Sequence, residues 1–385
     1  MFGLFESGLA HVTLNSLGMI VIGGVLIYLG IVRKMEPLLL VPIGFGIFMV
    51  NLPLAGIMTY TPEGLPALGG LQEIAEGKIG ILNLLYYYGL ESEIIPLLIF
   101  LGVGTLMDFG PTIGRPISLI FGATAQLGVF VVFLLAYFSG LFTIQEAACI
   151  GIIGGSDGPP TVYLTIALAP VLLGPITMIA YSYMALVPIL QPPVIRLLTT
   201  RKERGIVMKT LTRKVSRLEL VLFPILVFVI ATLLVPKSPP LVGMLMFGNL
   251  LRVSGVTDRL AQAGSVMNDI LIILLGICVG ALMPAQVFFS SKTLIILGLA
   301  VLAFVFSTAG GLLTAKLMNL FLKEKINPLI GSAGVSAIPM AARVSQIEGQ
   351  KANPKNHLLM HALGPNMAGA IGTSLVAGLF LGMLQ

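Results

Sequence analysis

The chain has 385 residues, 57% of them hydrophobic and only 10% charged, against about 25% charged in an average soluble domain, which excludes a soluble globular enzyme. The two cysteines, Cys149 and Cys278, both lie in apolar stretches, so neither a disulfide framework nor a CxxC metal or redox motif is available. The net charge of +6 is no mark of a nucleic-acid partner: eight of the 22 Lys and Arg fall between Arg196 and Arg217, beside a long apolar run, as a juxtamembrane cluster.

The first residues, MFGLFESGLAH, lack the basic n-region of a cleaved signal peptide. Apolar runs between charges and Pro or Gly punctuation then predict spans near 15–33, 37–58, 93–110, 116–139, 170–197, 218–236, 240–252, 268–286, 292–320 and 357–384. Residues 59–92, with Tyr86, Tyr87 and Tyr88 before Glu91 and Glu93, read as an outer interfacial helix whose rings sit at headgroup depth. Residues 145–168 (QEAACIGIIGGSDGPPTVYLTIAL) and 325–342 (KINPLIGSAGVSAIPMAA) are apolar but interrupted midway by Gly, Ser and Pro. Each predicts two half-helices meeting at an unwound loop, which survives at membrane depth only when buried in protein or lining a wet cavity. The fold class is therefore an all-α integral membrane protein of about ten transmembrane helices plus two re-entrant broken helices.

At a constant offset of 176 residues, Gly104-Thr-Leu-Met107 falls on Gly280-Ala-Leu-Met283, and Gly155-Ser-Asp-Gly158 falls on Gly331-Ser-Ala-Gly334. Two tetrads in one register argue for an internal repeat. The chain then divides into N-terminal spans and the interfacial helix (1–92), a first unit (93–197), a basic cytoplasmic loop with connecting spans (198–267) and a second unit (268–385). If both interrupted segments return to the side they entered from, one face collects 19 of the 22 basic residues, leaving Lys78, Lys237 and Lys292 opposite. The positive-inside rule makes that face cytoplasmic. The two units then run antiparallel, the inverted-repeat design of secondary transporters, with the site near the midplane.

Asp157, in GGSDGPP, is the one carboxylate at the interruption of either segment. A carboxylate at that depth marks an ion or proton path; the plainer alternative is an N-cap on the second half-helix. Hard oxygen donors suit a small cation, so Asp157, Ser156, Ser332, Ser336 and exposed carbonyls are candidates to replace water around Na⁺, with Gly155, Gly158, Gly331 and Gly334 shaping the site structurally. Asn327 is either a further ligand or a cap beside Pro328, and Asn366 either a ligand or a plain interhelical hydrogen bond. Arg343 either receives an anionic substrate from the cytoplasm or anchors the chain, and Tyr183 lies deep enough in its span to bond a neighbour. Asp108-Phe-Gly110 lacks the rest of a kinase, and His357 and His361 lack the glutamate of a zincin motif. No thiolate or imidazole cluster points to a transition metal.

GGSDGPPTVYLT, NPLIGSAGVSAIPMAARVSQ and NHLLMHALGPNMAGAIGTS together resemble the membrane β subunit of the sodium-pumping biotin-dependent decarboxylases of oxaloacetate, methylmalonyl-CoA and glutaconyl-CoA. The resemblance covers most of the chain and is weakest before about residue 90. It implies partners: a carboxyltransferase α subunit, a biotin carrier subunit and a small membrane anchor subunit, in an oligomer of the bacterial cytoplasmic membrane. It implies that carboxybiotin on the carrier, not biotin bound to this chain, is decarboxylated while Na⁺ leaves the cytoplasm and H⁺ is taken up. By similarity Asp157 binds Na⁺ and exchanges a proton, Tyr183, Asn327, Gly331, Ser336 and Arg343 take part in coupling, and Asn366 belongs to the ion site. The match is to the shorter members, which favours a CoA thioester as the acid. Read without the resemblance, the same residues also fit a stand-alone Na⁺/H⁺ antiporter of the inverted-repeat type.

Overall fold

A computed structural model describes residues 8–61, 65–69, 71–209, 213–255 and 258–385; the opening MFGLFES lies outside the described residues. Helix starts follow local chemistry. Thr13, Thr143 and Ser216 each accept the N–H three residues on, and Ser16, Glu146 and Glu219 return a bond to the cap. Pro37 and Pro239 open their helices at a position where no N–H is needed.

In chain order the helices are α1 (Leu14–Ile31), α2 (Pro37–Asn51), α3 (Ile94–Leu106), α4 (Ser118–Ala125), α5 (Leu127–Phe138), α6 (Ile144–Gly151), α7 (Gly158–Leu168) and α8 (Leu173–Leu198). After a basic turn, Arg201–Arg204, come α9 (Arg217–Leu234), α10 (Pro239–Ser254), α11 (Asp258–Ala281), α12 (Ser291–Phe321), α13 (Leu329–Ser332), α14 (Met340–Ala352) and α15 (Leu359–Leu384). Among the described residues there is no strand, only one isolated bridge between Tyr60 and Pro66. The chain is an all-helical protein of the multi-pass membrane type.

Each of the ten predicted spans contains a helix, but among the described residues seven helices are long and apolar enough to cross a bilayer. The number is eight if Ile81–Glu91 and Ile94–Leu106, bent by 58° to each other, form one span. Helices α2, α3 and α10 have 15, 13 and 16 residues, short of the roughly 20 that the hydrocarbon core requires. Residues 59–92 are not a single interfacial helix. The described residues of this stretch form the bridge, two short helices (Leu71–Ala75 and Ile81–Leu85) and a widened turn over Tyr86–Glu91. Gly77, at φ +68°, breaks the run. Tyr86 packs in the core at 4% exposure, so only Tyr87 and Tyr88 can take headgroup positions.

Among the helix pairs in backbone contact, two involve the repeated glycines Gly104 and Gly280. A Cβ on Gly104 of α3 would stand 2.2 Å from the carbonyl oxygen of Leu245 in α10, and one on Gly280 of α11 would stand 2.2 Å from that of Ile43 in α2. Small residues permit this approach, where dispersion rather than water drives helix association. Asn249 Nδ2 then donates to Met107 O (2.8 Å) and Asn51 Nδ2 to Met283 O (2.9 Å), closing the ends of α3 and α11.

Charges sort the two ends of the molecule. At one end Arg196 pairs with Glu348, Arg217 Nη2 donates to Ser254 O (2.6 Å) and Asn353 Nδ2 to Gly205 O (3.2 Å). At the other, Lys292 pairs with Glu146 (3.1 Å) and Lys237 approaches Gln385 (3.5 Å). Because Gly104 and Gly280 have no room for a side chain, Gly104→Leu and Gly280→Leu are each expected to destabilise the fold by about 1–3 kcal/mol. A thiol-reactive dye reports this as earlier thermal exposure of the buried Cys149 and Cys278; unchanged melting would show that these contacts are looser than described.

Candidate functional site

The first interrupted segment is shaped by its own residues. Helix α6 tightens into a 3-10 turn over Ile152–Gly155, Ser156 adopts the left-handed conformation (φ 54°), and Asp157 is extended before α7 restarts. Asp157 stands at the N-cap of α7, yet its side chain makes no capping bond. The reason lies in the next residues. An N-cap carboxylate accepts from the second and third helical N–H groups, and here those positions are Pro159 and Pro160, which have none. The carboxylate is thereby released to point elsewhere, and the capping alternative raised by the sequence is excluded.

It points at the second interrupted segment. Ser336 Oγ donates to Asp157 Oδ2 (2.8 Å), and the Ser336 backbone N–H donates to Gly155 O (2.9 Å). Asp157 is 7% exposed and Ser336 3%. Asn366, within α15, donates through Nδ2 to Val335 O (2.6 Å) and Ala333 O (3.1 Å), holding the unwound stretch that carries Ser336. Close backbone contact fixes the loops. A Cβ on Gly369 would lie 2.2 Å from Gly334 O, and one on Gly155 would lie 2.6 Å from the Thr373 side chain.

Several oxygens around this crossing are buried without a hydrogen-bond partner: Ser156 Oγ, Asn366 Oδ1 and Tyr181 Oη. A buried polar atom left unpaired is costly, and groups of them mark a place where an ion or water belongs. The Tyr181 ring lies over Gly158, where any Cβ would meet it at 2.1 Å. Tyr181 was not singled out from the sequence; its neighbour Tyr183 was. The two lie about 200° apart around α8, and Tyr183 Oη instead donates to Leu297 O on α12 (2.8 Å).

The remaining candidates hold the second segment. Asn327 Oδ1 accepts from the Leu329 N–H (3.0 Å), while its Nδ2 donates to Arg204 O and Ile206 O, both at 2.8 Å. Ser332 Oγ donates to Leu329 O (2.7 Å) and meets Ser345 Oγ (3.0 Å), and Gln191 Nε2 donates to Ser332 O (2.7 Å). A Cβ on Gly331 would lie 2.1 Å from Gly311 O, so α12 seats the segment directly. Arg343 is exposed on α14, beyond the crossing, and acts electrostatically on Glu36. His361 lies against Arg115 (3.5 Å) while His357 is exposed.

With this geometry in view, comparison with known proteins is decisive. Residues 15–384 match the family of the Na⁺-transporting oxaloacetate decarboxylase beta subunit. The chain belongs to that family. It is 52% identical to the methylmalonyl-CoA decarboxylase subunit beta of Propionigenium modestum, over 98% of this chain and 97% of that protein. Identity is 47% to the glutaconyl-CoA decarboxylase subunit beta of Acidaminococcus fermentans, over 98% and 96%. It is 46% to the oxaloacetate decarboxylase beta chain 2 of Salmonella typhi, over 97% and 96%. The chain is thus the β subunit of a sodium-transporting decarboxylase, and the stand-alone antiporter alternative gains no support.

One ion pair on the basic side braces this β subunit near the site. Arg196, at the end of α8, donates through Nε and Nη2 to the two oxygens of Glu348 on α14, each at 2.8 Å, and Lys351 adds a third contact at 2.8 Å. The Arg196 bonds, helped by Lys351, hold the Glu348 carboxyl down from 4.5 to about 2. A depressed carboxyl contributes stability that is full above about 4.5 and is lost as pH falls towards about 2. Glu348→Gln is expected to cost about 1–2 kcal/mol at neutral pH, at the low end for charged hydrogen bonds because Arg196 is half exposed. It should also flatten the acid side of the stability profile; a variant with the parental acid transition would refute this brace.

Proposed function

We propose that this β subunit decarboxylates carboxybiotin presented by a biotin carrier subunit and exports Na⁺ from the cytoplasm against uptake of a proton. The observation that carries the reading is the buried Asp157 carboxylate, freed from capping and bound to Ser336 of the opposite segment. Asp157, Ser336 and the two orphaned oxygens Ser156 Oγ and Asn366 Oδ1 form the donor set for Na⁺. Hard neutral oxygens with one carboxylate suit such a cation. Asn327, Ser332 and Gly331 serve as framework for the segment, and Tyr183 links α8 to α12. Arg343, at the exposed mouth of the second segment, suits the approach of the anionic N-carboxylate.

Cleavage breaks the C–N bond, releases CO₂ and leaves the electron pair on the ureido nitrogen, which takes up a proton. A desolvated carboxyl group favours its neutral form, and a bound cation favours the ionised one. Asp157 would carry the proton when the site is empty, give it up as the nitrogen requires it, and hold Na⁺ as a carboxylate. Moving one charge against 100 mV takes about 2.3 kcal/mol, a load that decarboxylation can meet.

Two re-entrant segments in an inverted repeat would supply alternating access by rocking one bundle against the other. Support comes from the ends of the molecule. Glu146, starting the first segment, meets Lys292, whereas Asn327, starting the second, is held by the Arg204 turn at the basic end. The exchange of partners adds to this: Gly104 rests on α10 and Gly280, 176 positions later, on α2. The repeat would then take in α1 and α2 on one side and α9 and α10 on the other. The higher identity to the methylmalonyl-CoA subunit favours a CoA thioester over oxaloacetate as the acid.

In proteoliposomes of the whole complex, Asp157→Asn is expected to abolish Na⁺-dependent decarboxylation of free carboxybiotin; near-normal activity would refute the assignment. Ser156→Ala and Asn366→Ala should each raise the Na⁺ concentration for half-maximal rate about fivefold or more, on a loss of about 1–3 kcal/mol. A biotinylated carrier and a carboxyltransferase should co-purify with the chain, and their absence would reopen the antiporter reading.

A further inference from the structure

A groove of about 850 Å³ lies on the outer side of α12, away from the crossing of the two broken segments. Its floor is apolar, from Gly310 through Leu313 and Leu317 to Leu320, and these leucines are 51%, 58% and 76% exposed. The floor extends about 15 Å along the helix axis at 1.5 Å per residue. Its basic end is lined by Lys202, Lys316 and Lys325 against a single acid, Glu203. Lys316 is committed: its Nζ donates to Leu198 O (3.0 Å) and pairs with Glu203 (3.2 Å). Among the described residues, Lys202 and Lys325 pair with no carboxylate, and both are exposed.

We propose that this groove binds an anionic phospholipid, its phosphate between Lys202 and Lys325 and an acyl chain along α12. The chemistry selects the occupant. An apolar floor on a helix of membrane-spanning length is out of reach of a water-soluble partner, and a basic pocket at the cytoplasmic end of such helices suits an acidic headgroup. A second copy of the chain is a poor fit, because pairing this face with itself would oppose lysine to lysine. The site has a structural consequence. Lys202 and Glu203 belong to the turn whose Arg204 O and Ile206 O hold Asn327 Nδ2, so a docked lipid steadies the start of the second broken segment.

The test uses the purified complex, with phosphatidylglycerol, phosphatidylcholine and inorganic phosphate as probes. Native mass spectrometry counts retained lipid, and dye labelling of the buried cysteines follows melting. Phosphatidylglycerol should be retained and should raise the melting temperature, while phosphatidylcholine and free phosphate should not. Lys202→Gln with Lys325→Gln should weaken phosphatidylglycerol binding about thirtyfold, from roughly one lysine-sized contribution at each position. Lys202→Arg with Lys325→Arg should restore it, and Lys237→Gln, at the far end, should change nothing. Equal retention by the Gln pair, an equal response to phosphate or phosphatidylcholine, or a change in oligomeric mass in place of lipid loss would overturn the proposal. Decarboxylation is not the readout, so failure here leaves the ion-site assignment standing.

Discussion

The hydrogen bond from Ser336 to Asp157 joins two pieces of chain that each break helical continuity, and the arrangement of the rest follows from the need to keep that junction dry. An unwound backbone exposes N–H and C=O groups that lipid cannot satisfy. Here the exposed groups answer one another: the Ser336 N–H reaches Gly155 O, and Asn366 takes the carbonyls of Ala333 and Val335. Left without a partner beside the carboxylate are Ser156 Oγ, Asn366 Oδ1 and Tyr181 Oη, the oxygens on which the proposed cation site draws.

The proline pair after Asp157 is central to this economy of donors. Pro159 and Pro160 let α7 restart, since neither needs an N–H in the first turn, and the same lack denies Asp157 its usual capping partners. One sequence feature therefore both terminates the break and aims the carboxylate. The second segment has no acid at the corresponding place, Ala333 standing 176 residues after Asp157, so it contributes a hydroxyl and carbonyls instead.

Around the crossing, contact is made through glycine backbones more than through interlocking side chains. Gly311 against Gly331, Gly369 against Gly334 and Gly122 against Ala368 bring main chains to distances no side chain would allow. Such smooth surfaces pack tightly and present few obstacles to sliding. The basic end is different in kind: the Arg196–Glu348 pair and the grip of Asn327 on the Arg204 turn tie α8, α14 and the second segment by charge and hydrogen bond. The lysines of the α12 groove belong to this same end.

The sequence alone determined the membrane class, both broken segments and Asp157, because each rests on local composition: long apolar runs, and Gly, Ser and Pro set where a helix should continue. It also carried Ser336 and Asn366, as the polar residues of apolar surroundings. The number of full spans and the path of residues 59–92 were not legible, since whether a 13- to 16-residue apolar run crosses a membrane or packs inside depends on its neighbours. Only the tertiary structure chose Tyr181 over Tyr183 as the phenol beside Gly158, because that choice is the rotation of α8 about its axis, fixed by packing against α7 and α12. It likewise separated Asn327 and Ser332 from the carboxylate: residues a few positions apart in an interrupted segment face different elements, and no spacing rule describes an unwound backbone.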